Sequence, residues 1–435
     1  MQTEFAQRRQ QLMDKIGKGT AIFRSAPQAV MHNDVEYNFR QDSDFFYLTG
    51  FDEPEAVAVL APHHEEHRFV LFVRPKDPEK ETWSGYRVGV EAAKERFGAD
   101  AVYSIEELDE KLTQYVEKAD RIYYRLGRDR PFNDKILGLW QRLMRGYPRR
   151  GTGPTAIEDP APTLHSLRQI KSPAELERMR KAADIAVAAH NRAMAYAKPG
   201  VYEYQVQAEI EHTFRISGAL GPAYPSIIAS GANACILHYT ENTRQIQEHD
   251  LLLIDAGCAY EYYNSDITRT FPVSGQFTDE QRVLYDIVLR AQLAAIAQVQ
   301  PGNPYSQIHE TAVRVIVEGL MDLGLLQGDI EEIIKEEKYK PFYMHKTGHW
   351  LGLDVHDVGV YAHGDTAHNL EPGQVTTVEP GIYIRPDIKP AEGQPEVPER
   401  WRGIGIRIED DVLVTPTGYD VLTAGVPKLI EDLEG

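Results

Sequence analysis

The segment LLLIDAGCAYEYYNSDITRTF, residues 251–271, has the pattern of two apolar strands joined by a turn. Asp255 and Asp266 lie symmetrically about the boundary between residues 260 and 261. A hairpin centred there would place the two aspartates opposite each other, with Cβ atoms about 5 Å apart. Two buried carboxylates so close repel each other unless a cation lies between them or one is protonated. Taken singly, each aspartate is more simply explained as a solvated residue at the end of a strand.

Histidines are concentrated in the segment YMHKTGHWLGLDVHDVG, residues 343–359. A lone histidine in such a segment is more simply explained as a structural residue than as a ligand. Three histidines within twelve positions favour a functional site, and Gly348 and Gly352 allow the backbone to turn tightly around the central one. The three are His345, His349 and His356.

Two further carboxylates lie at the ends of later apolar strands. Glu379 follows the strand-like residues of VTTVEPG, residues 375–381. In GIGIRIEDDVLV, residues 403–414, the alternating isoleucines predict one apolar face, so Arg407 and Glu409 project together from the other face. For this strand alone, an ion pair on a solvated face is the simpler interpretation.

Taken together, these residues suit a metal centre better than a set of unrelated surface groups. Four carboxylates and one imidazole are a donor set for two divalent cations. Two such cations can share a bridging hydroxide, which is a strong nucleophile for hydrolysis. The set consists of Asp255, Asp266, His349, Glu379 and Glu409.

Composition limits the class of protein. The chain has 435 residues, a net charge of −19 and only two cysteines. The acidic balance argues against binding of nucleic acid or of an anionic membrane surface. No apolar run is long enough to span a membrane. The low cysteine content and the polar start, which lacks a signal-peptide pattern, predict a cytoplasmic protein.

The chain is predicted to have two domains. Strand-like runs at 56–62 and 69–75 and amphipathic helical patterns at 90–98 and 104–119 indicate a small α/β domain. The Gly- and Pro-rich residues 149–163 predict a linker.

Beyond the linker, helical segments occur in two similar blocks. Ser172 with Glu175 and Thr278 with Gln281 form capping boxes that predict helix starts. In each block a Pro-Gly pair precedes a second predicted helix, at about 203–217 and 306–322. The two blocks therefore suggest a duplicated half-domain, although the matching stretch is short enough to arise by chance.

At these motifs the chain resembles the pita-bread metallopeptidases, and within them the aminopeptidase P (Xaa-Pro aminopeptidase) family. The resemblance covers nearly the whole chain. It implies an α/β N-terminal domain (1–165), creatinase-like, that restricts access and supports assembly. It also implies an α+β pita-bread catalytic domain (166–435) with internal pseudo-duplication. The motifs that carry it are YNFRQDSDFFYLTGF (37–51), LRQIKSPAELE (167–177), DAGCAYEYYNSDITRTF (255–271), HKTGHWLGLDVHDVG (345–359), VEPGIYI (378–384) and GIGIRIEDDVLVT (403–415).

The resemblance also implies how the ligands are shared between two divalent ions, usually Mn²⁺. Asp255 would chelate one ion, and Asp266 and Glu409 would bridge both. His349 and Glu379 would complete the other site. The substrates implied are peptides with proline in the second position, from which the first residue is removed by attack of a metal-bridging hydroxide.

Further roles follow from the same resemblance. Glu379 would take the proton of the hydroxide and pass it to the proline nitrogen. His345 and His356 match substrate-contacting histidines of the family, and His356 would stabilise the oxyanion. His238 matches the family histidine upstream of the first aspartate and would help to position the proton donor. Arg407 would keep Glu409 ionised and oriented. Tyr383 matches a substrate-binding tyrosine of the family.

The family also implies self-association. Trp83 matches a tryptophan that reaches the active site of a neighbouring subunit, which predicts a homotetramer or a homodimer. An ordinary, partly buried tryptophan is an equally good explanation of Trp83. Between Tyr361 and Leu370 the family often has arginines, whereas this chain has AHGDTAHN, so substrate contacts from that loop are not expected to carry over.

Other functions remain as alternatives. Prolidase shares the fold and the ligands but cleaves only Xaa-Pro dipeptides, and the segments HWLGLDVHD and RQDSDFFYLTGF favour aminopeptidase P. A pita-bread chain that serves only as a binding module would lack ligands, whereas all five are present. Creatine amidinohydrolase does not need the metal carboxylates, and methionine aminopeptidase would not need the N-terminal domain.

Overall fold

The structure of the protein, a computed structural model, describes residues 2–434. It separates into two compact units, with the boundary between Arg168 and Gln169. Within residues 2–434, none of the helices combines the length and the hydrophobicity needed to cross a lipid bilayer.

The N-terminal unit contains a six-stranded mixed sheet flanked by helices, and the strand order is β6-β5-β4-β1-β7-β8. Its strands are β1 (Thr20–Arg24), β2 (Val30–His32), β3 (Val35–Glu36), β4 (Val57–Leu60), β5 (Phe69–Val73), β6 (Ala101–Ser104), β7 (Ile122–Tyr123) and β8 (Ile157–Glu158). Its helices are α1 (Gln2–Ile16), α2 (Ser43–Thr49), α3 (Pro78–Ser84), α4 (Gly89–Phe97), α5 (Leu108–Val116), α6 (Arg130–Arg150) and α7 (Ala161–Gln169). Strands β4 and β5 are apolar and buried along their whole length, which explains why the sequence revealed them.

The linker predicted at 149–163 is wrong, because this segment is part of the folded N-terminal unit. Strand β8 lies within it and pairs in parallel with β7. Ile157 packs against the apolar cluster beneath the sheet. A strand of two residues is too short to produce a periodic pattern, so the glycines and prolines around it dominated the prediction.

The C-terminal unit combines long helices with small antiparallel sheets. Its helices are α8 (Pro173–Tyr196), α9 (Glu203–Ile216), α10 (Asp279–Ile296), α11 (Ser306–Asp322), α12 (Ile330–Lys335) and α13 (Ile430–Leu433). Its strands are β9 (Gly221–Pro222), β10 (Ile227–Ser230), β11 (Leu251–Asp255), β12 (Cys258–Tyr260), β13 (Tyr263–Asn264), β14 (Thr268–Pro272), β15 (Ala362–His363), β16 (Thr366–Ala367), β17 (Val375–Val378), β18 (Gly381–Ile384), β19 (Ile404–Arg407), β20 (Asp410–Thr415) and β21 (Gly418–Val421).

The order of these elements repeats once, as the two helical blocks predicted. Helices α8 and α9 precede the antiparallel sheet β10-β11-β14, and α10 and α11 precede the antiparallel sheet β17-β20-β21. Both leading helices begin with the expected capping boxes. The C-terminal unit is therefore built from two similar halves.

The hairpin after β11 differs in register from the prediction. Its turn is formed by Glu261 and Tyr262, which both have positive φ angles, 46° and 74°. This is the backbone of a type I′ turn, for which Asn-Gly is the usual sequence. The turn is centred one residue later than predicted, because a Glu-Tyr pair gives no sequence signal for this conformation.

The shift changes the residue that faces Asp255. Asp255 pairs with Thr268 across the ladder, and not with Asp266 as predicted. Asp266 lies outside the strands, in the connection that leads into β14. Any approach of the two aspartates therefore has to come from their side chains rather than from strand pairing.

Candidate metal centre

The two aspartates of the first half meet at one tyrosine hydroxyl. Tyr224 donates to Oδ1 of Asp255 at 2.6 Å and also contacts Oδ1 of Asp266. Burial and the neighbouring carboxylates hold the pKa of Tyr224 well above its ordinary value, so the hydroxyl keeps its proton. One proton can be donated to only one acceptor at a time, which leaves the pair of carboxylates with excess negative charge.

In the second half, backbone pairing brings His349 next to Glu379. The amide of Thr377 in β17 donates to the carbonyl of His349 at 2.9 Å. The amide of Glu379 donates to the carbonyl of Thr347 at 2.8 Å. A Cβ atom on Gly348 would lie 2.0 Å from the carbonyl oxygen of Thr377, so only glycine allows the two segments to run this close.

Glu409 joins the second half to the first. Its amide donates to the carbonyl of Thr268 at 3.0 Å, and the Thr268 hydroxyl donates to its Oε2 at 2.6 Å. One ligand atom each from Asp266, His349 and Glu409 can be chosen so that all three lie within 4.8 Å of one another. The two halves of the C-terminal unit thus each supply part of one candidate metal site.

The orientation of His349 fits metal binding. Its Nδ1 lies 3.0 Å from the carbonyl oxygen of Trp350, to which it donates. Its Nε2 lies 3.5 Å from Oδ2 of Asp266 and 3.8 Å from Oε1 of Glu379. A backbone carbonyl that fixes one ring nitrogen while the other faces carboxylates is the usual arrangement of a ligand histidine.

The electrostatics of the cluster also fit a cation. Burial raises the pKa of Asp255, and raises that of Glu379 to about 7 and that of Glu409 well above its ordinary value. Repulsion from neighbouring carboxylates adds to each of these shifts. Divalent cations bound among these oxygens would replace the protons and remove the repulsion.

Arg407 lies behind the ligand cluster and bonds residues on both sides of it. Its Nη2 donates to Oδ2 of Asp255 at 2.6 Å, and its Nε donates to the hydroxyl oxygen of Thr268 at 3.2 Å. Thr268 lies between Arg407 and Glu409 and bonds both side chains. The predicted role of Arg407 in keeping Glu409 ionised and oriented stays a prediction. Strand alternation predicted the common face of Arg407 and Glu409 but did not identify the residue that intervenes.

Tyr383 belongs to a chain of hydrogen bonds behind the site. Tyr383 is 0% exposed, and the substrate-binding role predicted for it stays a prediction. Its hydroxyl oxygen accepts from Nη1 of Arg407 at 3.0 Å and lies 2.8 Å from Nε2 of His345. Burial lowers the pKa of His345 to about 3, so its ring is neutral. Since Nδ1 of that ring faces the carbonyl of Lys346 at 2.7 Å, the tyrosine donates to Nε2.

Two predicted histidines are exposed beside the ligand cluster. The ring of His356 lies edge-on to that of His349, with centroids 4.3 Å apart. His238 follows the short 3₁₀ helix Gly231–Cys235. Its charge contributes to lowering the pKa of both His345 and His356. The catalytic roles predicted for His238, His345 and His356 stay predictions.

Trp83 lies in α3 and is 89% exposed, so its side chain is free to contact another molecule. The loop that departs from the family forms the exposed hairpin β15–β16. The predicted contact of Trp83 with a neighbouring subunit stays a prediction.

Three residues that shape the site were missed in the sequence. Besides Tyr224 and Thr268, these include Asp411, whose two carboxylate oxygens accept the amide of Asp266 at 3.3 and 3.1 Å. Thr268 lies two residues after the predicted ligand Asp266, and Asp411 lies two residues after Glu409. A polar residue so close to a predicted ligand was the sequence feature that could have revealed them. Tyr224 lies in an irregular segment, GPAYPS, that carries no periodic pattern.

Comparison with known proteins agrees with this geometry. A model described as metallopeptidase family M24 matches residues 177–416, and one described as the N-terminal domain of aminopeptidase P matches residues 5–123. The chain is 45% identical over 433 residues to an Xaa-Pro aminopeptidase of Escherichia coli K12, which covers 99% of this chain and 96% of the relative.

Solved structures give the same result. Aminopeptidase PepP of Pseudomonas aeruginosa is similar with a TM-score of 0.94 and 47% identity, over 100% of this chain and 97% of that one. A Zn-substituted aminopeptidase P of E. coli in complex with product is similar with a TM-score of 0.94 and 44% identity, over 100% and 97% of the two chains.

A duplicated α+β unit with a carboxylate-rich metal centre defines a metallopeptidase. The chain belongs to metallopeptidase family M24. The predicted pita-bread fold and the predicted family are confirmed.

The pKa shifts predict how stability of the metal-free protein depends on pH. Folding raises the pKa of Glu379 from 4.5 to about 7 and that of His349 from 6.5 to about 9. The stability contributed by a raised pKa is present below the unfolded value and is lost as pH rises through the folded value. The contribution of Glu379 is lost mainly below pH 7, and that of His349 is lost as pH rises to about 9. Between pH 7 and 9 the melting temperature of the metal-free protein should therefore fall because of His349, by at least ~2 °C.

Calorimetry of metal-free and metal-loaded protein across this range checks the expectation. Buried histidines with lowered pKa, such as His345, are already neutral in both states above pH 7 and do not contribute. Replacing His349 by glutamine should flatten the slope of the metal-free protein. A melting temperature that rises from pH 7 to 9 would contradict the raised pKa of His349 in the metal-free protein.

Proposed function

We propose that the protein is an Xaa-Pro aminopeptidase that removes the first residue from peptides with proline in the second position, using two divalent cations, most favourably Mn²⁺. The observation that carries this proposal is the convergence of ligand atoms from Asp266, His349 and Glu409. Relatives with this activity in their name match the chain over nearly its full length, which supports this function over prolidase.

The cations would be held by the five predicted ligands, Asp255, Asp266, His349, Glu379 and Glu409. Bound there, they would make a water molecule acidic enough to lose its proton near neutral pH and would polarise the scissile carbonyl. A free amino terminus of the peptide is a further ligand for such a centre. This requirement would restrict cleavage to the first residue.

Glu379 is the best candidate for moving protons in the reaction. Its amide is fixed to Thr347, and its Oε1 faces His349 from 3.8 Å. The leaving group is the ring nitrogen of proline, which carries no hydrogen in the Xaa-Pro bond. It must therefore gain a proton before it can leave. Because the carboxyl group of Glu379 lies beside the ligand cluster, it could accept the proton of the attacking water and return it to that nitrogen.

The histidines around the centre would act on the substrate. His356 is exposed and adjoins His349, where a donor could stabilise the oxyanion that forms on the carbonyl. His345 is held by Tyr383 and the Lys346 carbonyl in one tautomer. The hydroxyl of Tyr383 also accepts from Arg407, which donates to Asp255, so His345 is linked through Tyr383 to the arginine that pairs with this ligand.

Two finer proposals concern the cellular form of the enzyme. The low cysteine content favours a cytoplasmic enzyme. The exposed Trp83 favours a homotetramer or homodimer in which it reaches the site of a neighbouring subunit. Light scattering of wild-type and Trp83→Ala protein, with kcat/KM for each, tests the second proposal. Unchanged kcat/KM in an unchanged monomer would contradict it.

A peptide panel distinguishes aminopeptidase P activity from prolidase activity. The metal-loaded protein should cleave Xaa-Pro-Xaa peptides at the Xaa-Pro bond at least as well as Xaa-Pro dipeptides. N-acetylated peptides should be inert, because they lack the free amine. Replacing proline by alanine should slow cleavage greatly. Chromatography of the products checks all three, and activity confined to dipeptides would favour prolidase.

A further inference from the structure

His356 lies on a loop that has no regular secondary structure. Residues 351–360 form neither helix nor strand. Their first two residues bond to β17 and β13, through Leu351 to Val375 and Asn264 to Gly352, and the amide of Asp357 donates to the carbonyl of Trp350 at 2.9 Å. A loop of this kind samples several conformations unless contacts from other elements restrict it. The position of the exposed His356 ring therefore depends on what holds its neighbours.

The residue next to His356 forms a fully buried ion pair. Nζ of Lys171 lies 3.0 Å from Oδ2 of Asp357, and each side chain is only 1% exposed. The same ammonium group lies 3.5 Å from the carbonyl oxygen of Gln169. Lys171 precedes α8, and its own amide donates to the carbonyl of Gly373 at 2.9 Å. The pair thus ties the loop to a fixed part of the chain far away in sequence.

Burial of this pair is not explained by stability alone. Removing two charges from water costs several kcal/mol per ion, and an apolar pair of similar size is often as stable or more so. A buried pair is better suited to select one arrangement, because any other arrangement leaves a charge unpaired in the interior. Asp357 is held in this way one residue from a predicted catalytic histidine.

The surrounding loop is built to leave room for the pair. A Cβ atom on Gly352 would lie 2.2 Å from Oδ2 of Asp357 and 2.9 Å from Cε of Lys171. Nδ2 of Asn264 donates to the carbonyls of Gly352 and Leu353 at 3.0 and 2.9 Å, which fixes the opposite end of the loop. The loop is therefore anchored on both sides of His356.

We propose that Lys171 and Asp357 are positioning residues that hold His356 in place for the reaction. The proposal rests on the proposed function of the site and adds two residues to it. The ammonium group of Lys171 pairs with Asp357, which is not a predicted ligand. It would act only through Asp357 and the loop.

A mutational cycle with His356 tests the proposal on an Xaa-Pro-Xaa peptide. Loss of an oxyanion donor lowers kcat by about 10²–10³, which is the expectation for His356→Ala with metal content unchanged. Lys171→Met should lower kcat by ~10-fold or more with little change in KM. In the His356→Ala background the same change should alter kcat by less than ~2-fold, because residues that act as one unit are not additive.

A single variant leaves one charge of the pair buried without its partner and can fold poorly. Asp357→Asn and the double variant Lys171→Met/Asp357→Asn are therefore measured as well, because the double variant removes both charges. Asp44→Asn is the matched control. It removes a carboxylate that lies 2.6 Å from Arg168 within the N-terminal unit, and its kcat should equal that of the wild type. An unchanged kcat in Lys171→Met, or an equal loss with and without His356, would overturn the proposal.

Hydrogen exchange measured by mass spectrometry separates this proposal from the proposed function. Residues 351–360 should exchange faster in Lys171→Met than in the wild type, while β17 should be unchanged. Unchanged exchange in the loop would overturn the positioning role whatever the substrate is. Failure of the wild-type protein to cleave any Xaa-Pro peptide would instead contradict the proposed function.

Discussion

Replacing Asp266 by asparagine is expected to remove bound divalent metal and nearly all peptidase activity. Asp266 contacts several parts of the site, since its carboxylate meets Tyr224 and faces His349 while its amide is fixed by Asp411. An amide is a much poorer ligand than a carboxylate for a hard cation. Because a metal ion supplies several kcal/mol of transition-state stabilisation, kcat/KM should fall by ~10³ or more.

Elemental analysis and kinetics on the same preparation check this prediction. Asp420→Asn is a suitable control, because that carboxylate is 42% exposed and pairs with Arg180 on the surface. The control should keep the metal content and activity of the wild type. Full metal content in Asp266→Asn would contradict the ligand assignment, and full activity without metal would contradict the metal dependence.

Replacing Glu379 by glutamine is expected to have the second largest effect, on kcat rather than on KM. Glutamine keeps the size of the side chain but cannot accept a proton, and general acid–base catalysis contributes about 10²–10⁴. Because an amide is also a poorer ligand than a carboxylate for a hard cation, metal content is expected to fall as well, so kcat is compared at saturating metal. The amide of residue 379 would still bond the carbonyl of Thr347, so the backbone of the site should be preserved.

Stopped-flow or steady-state kinetics with metal analysis would measure this effect. Glu371→Gln changes a nearby glutamate whose side chain is 61% exposed, and should behave as the wild type. A Glu379→Gln variant with retained metal and a kcat within ~3-fold of the wild type would exclude the proton-transfer role.

Three of the predicted ligands, Asp255, Glu379 and Glu409, could be found in the sequence because they end or border apolar strands, and His349 because it lies among closely spaced histidines. The paired strands around Asp255, Glu379 and Glu409 gave periodic patterns that placed these carboxylates on one side of the fold. What periodicity could not give was the register of the hairpin, since a type I′ turn made of Glu261 and Tyr262 has no characteristic sequence.

The contacts between distant segments were also beyond sequence patterns. Tyr224 contacts Asp255 from an irregular segment, and Thr268 intervenes between Arg407 and Glu409 because two strands from different halves meet there. Such contacts depend on packing of the whole unit rather than on local spacing. The linker error has the same origin, because the two-residue strand β8 is held by its neighbour β7 and not by its own sequence.

The duplicated architecture explains why the site lies where it does. The first half supplies Asp255 and Asp266, the second half supplies His349 and Glu379, and the bridge between Thr268 and Glu409 joins them. Neither half contains the complete donor set. The negative charge collected at this junction is unfavourable without cations, which couples metal binding to the stability of the C-terminal unit.

Titration of metal-free protein with Mn²⁺, while release of the first residue from an Xaa-Pro-Xaa peptide is followed, tests whether cleavage depends on bound metal. We predict no cleavage before addition, activity that rises with bound metal, and products consisting only of free Xaa and the Pro-Xaa remainder. Cleavage by protein shown to contain no metal, or metal-loaded protein that leaves the Xaa-Pro bond intact, would contradict this prediction.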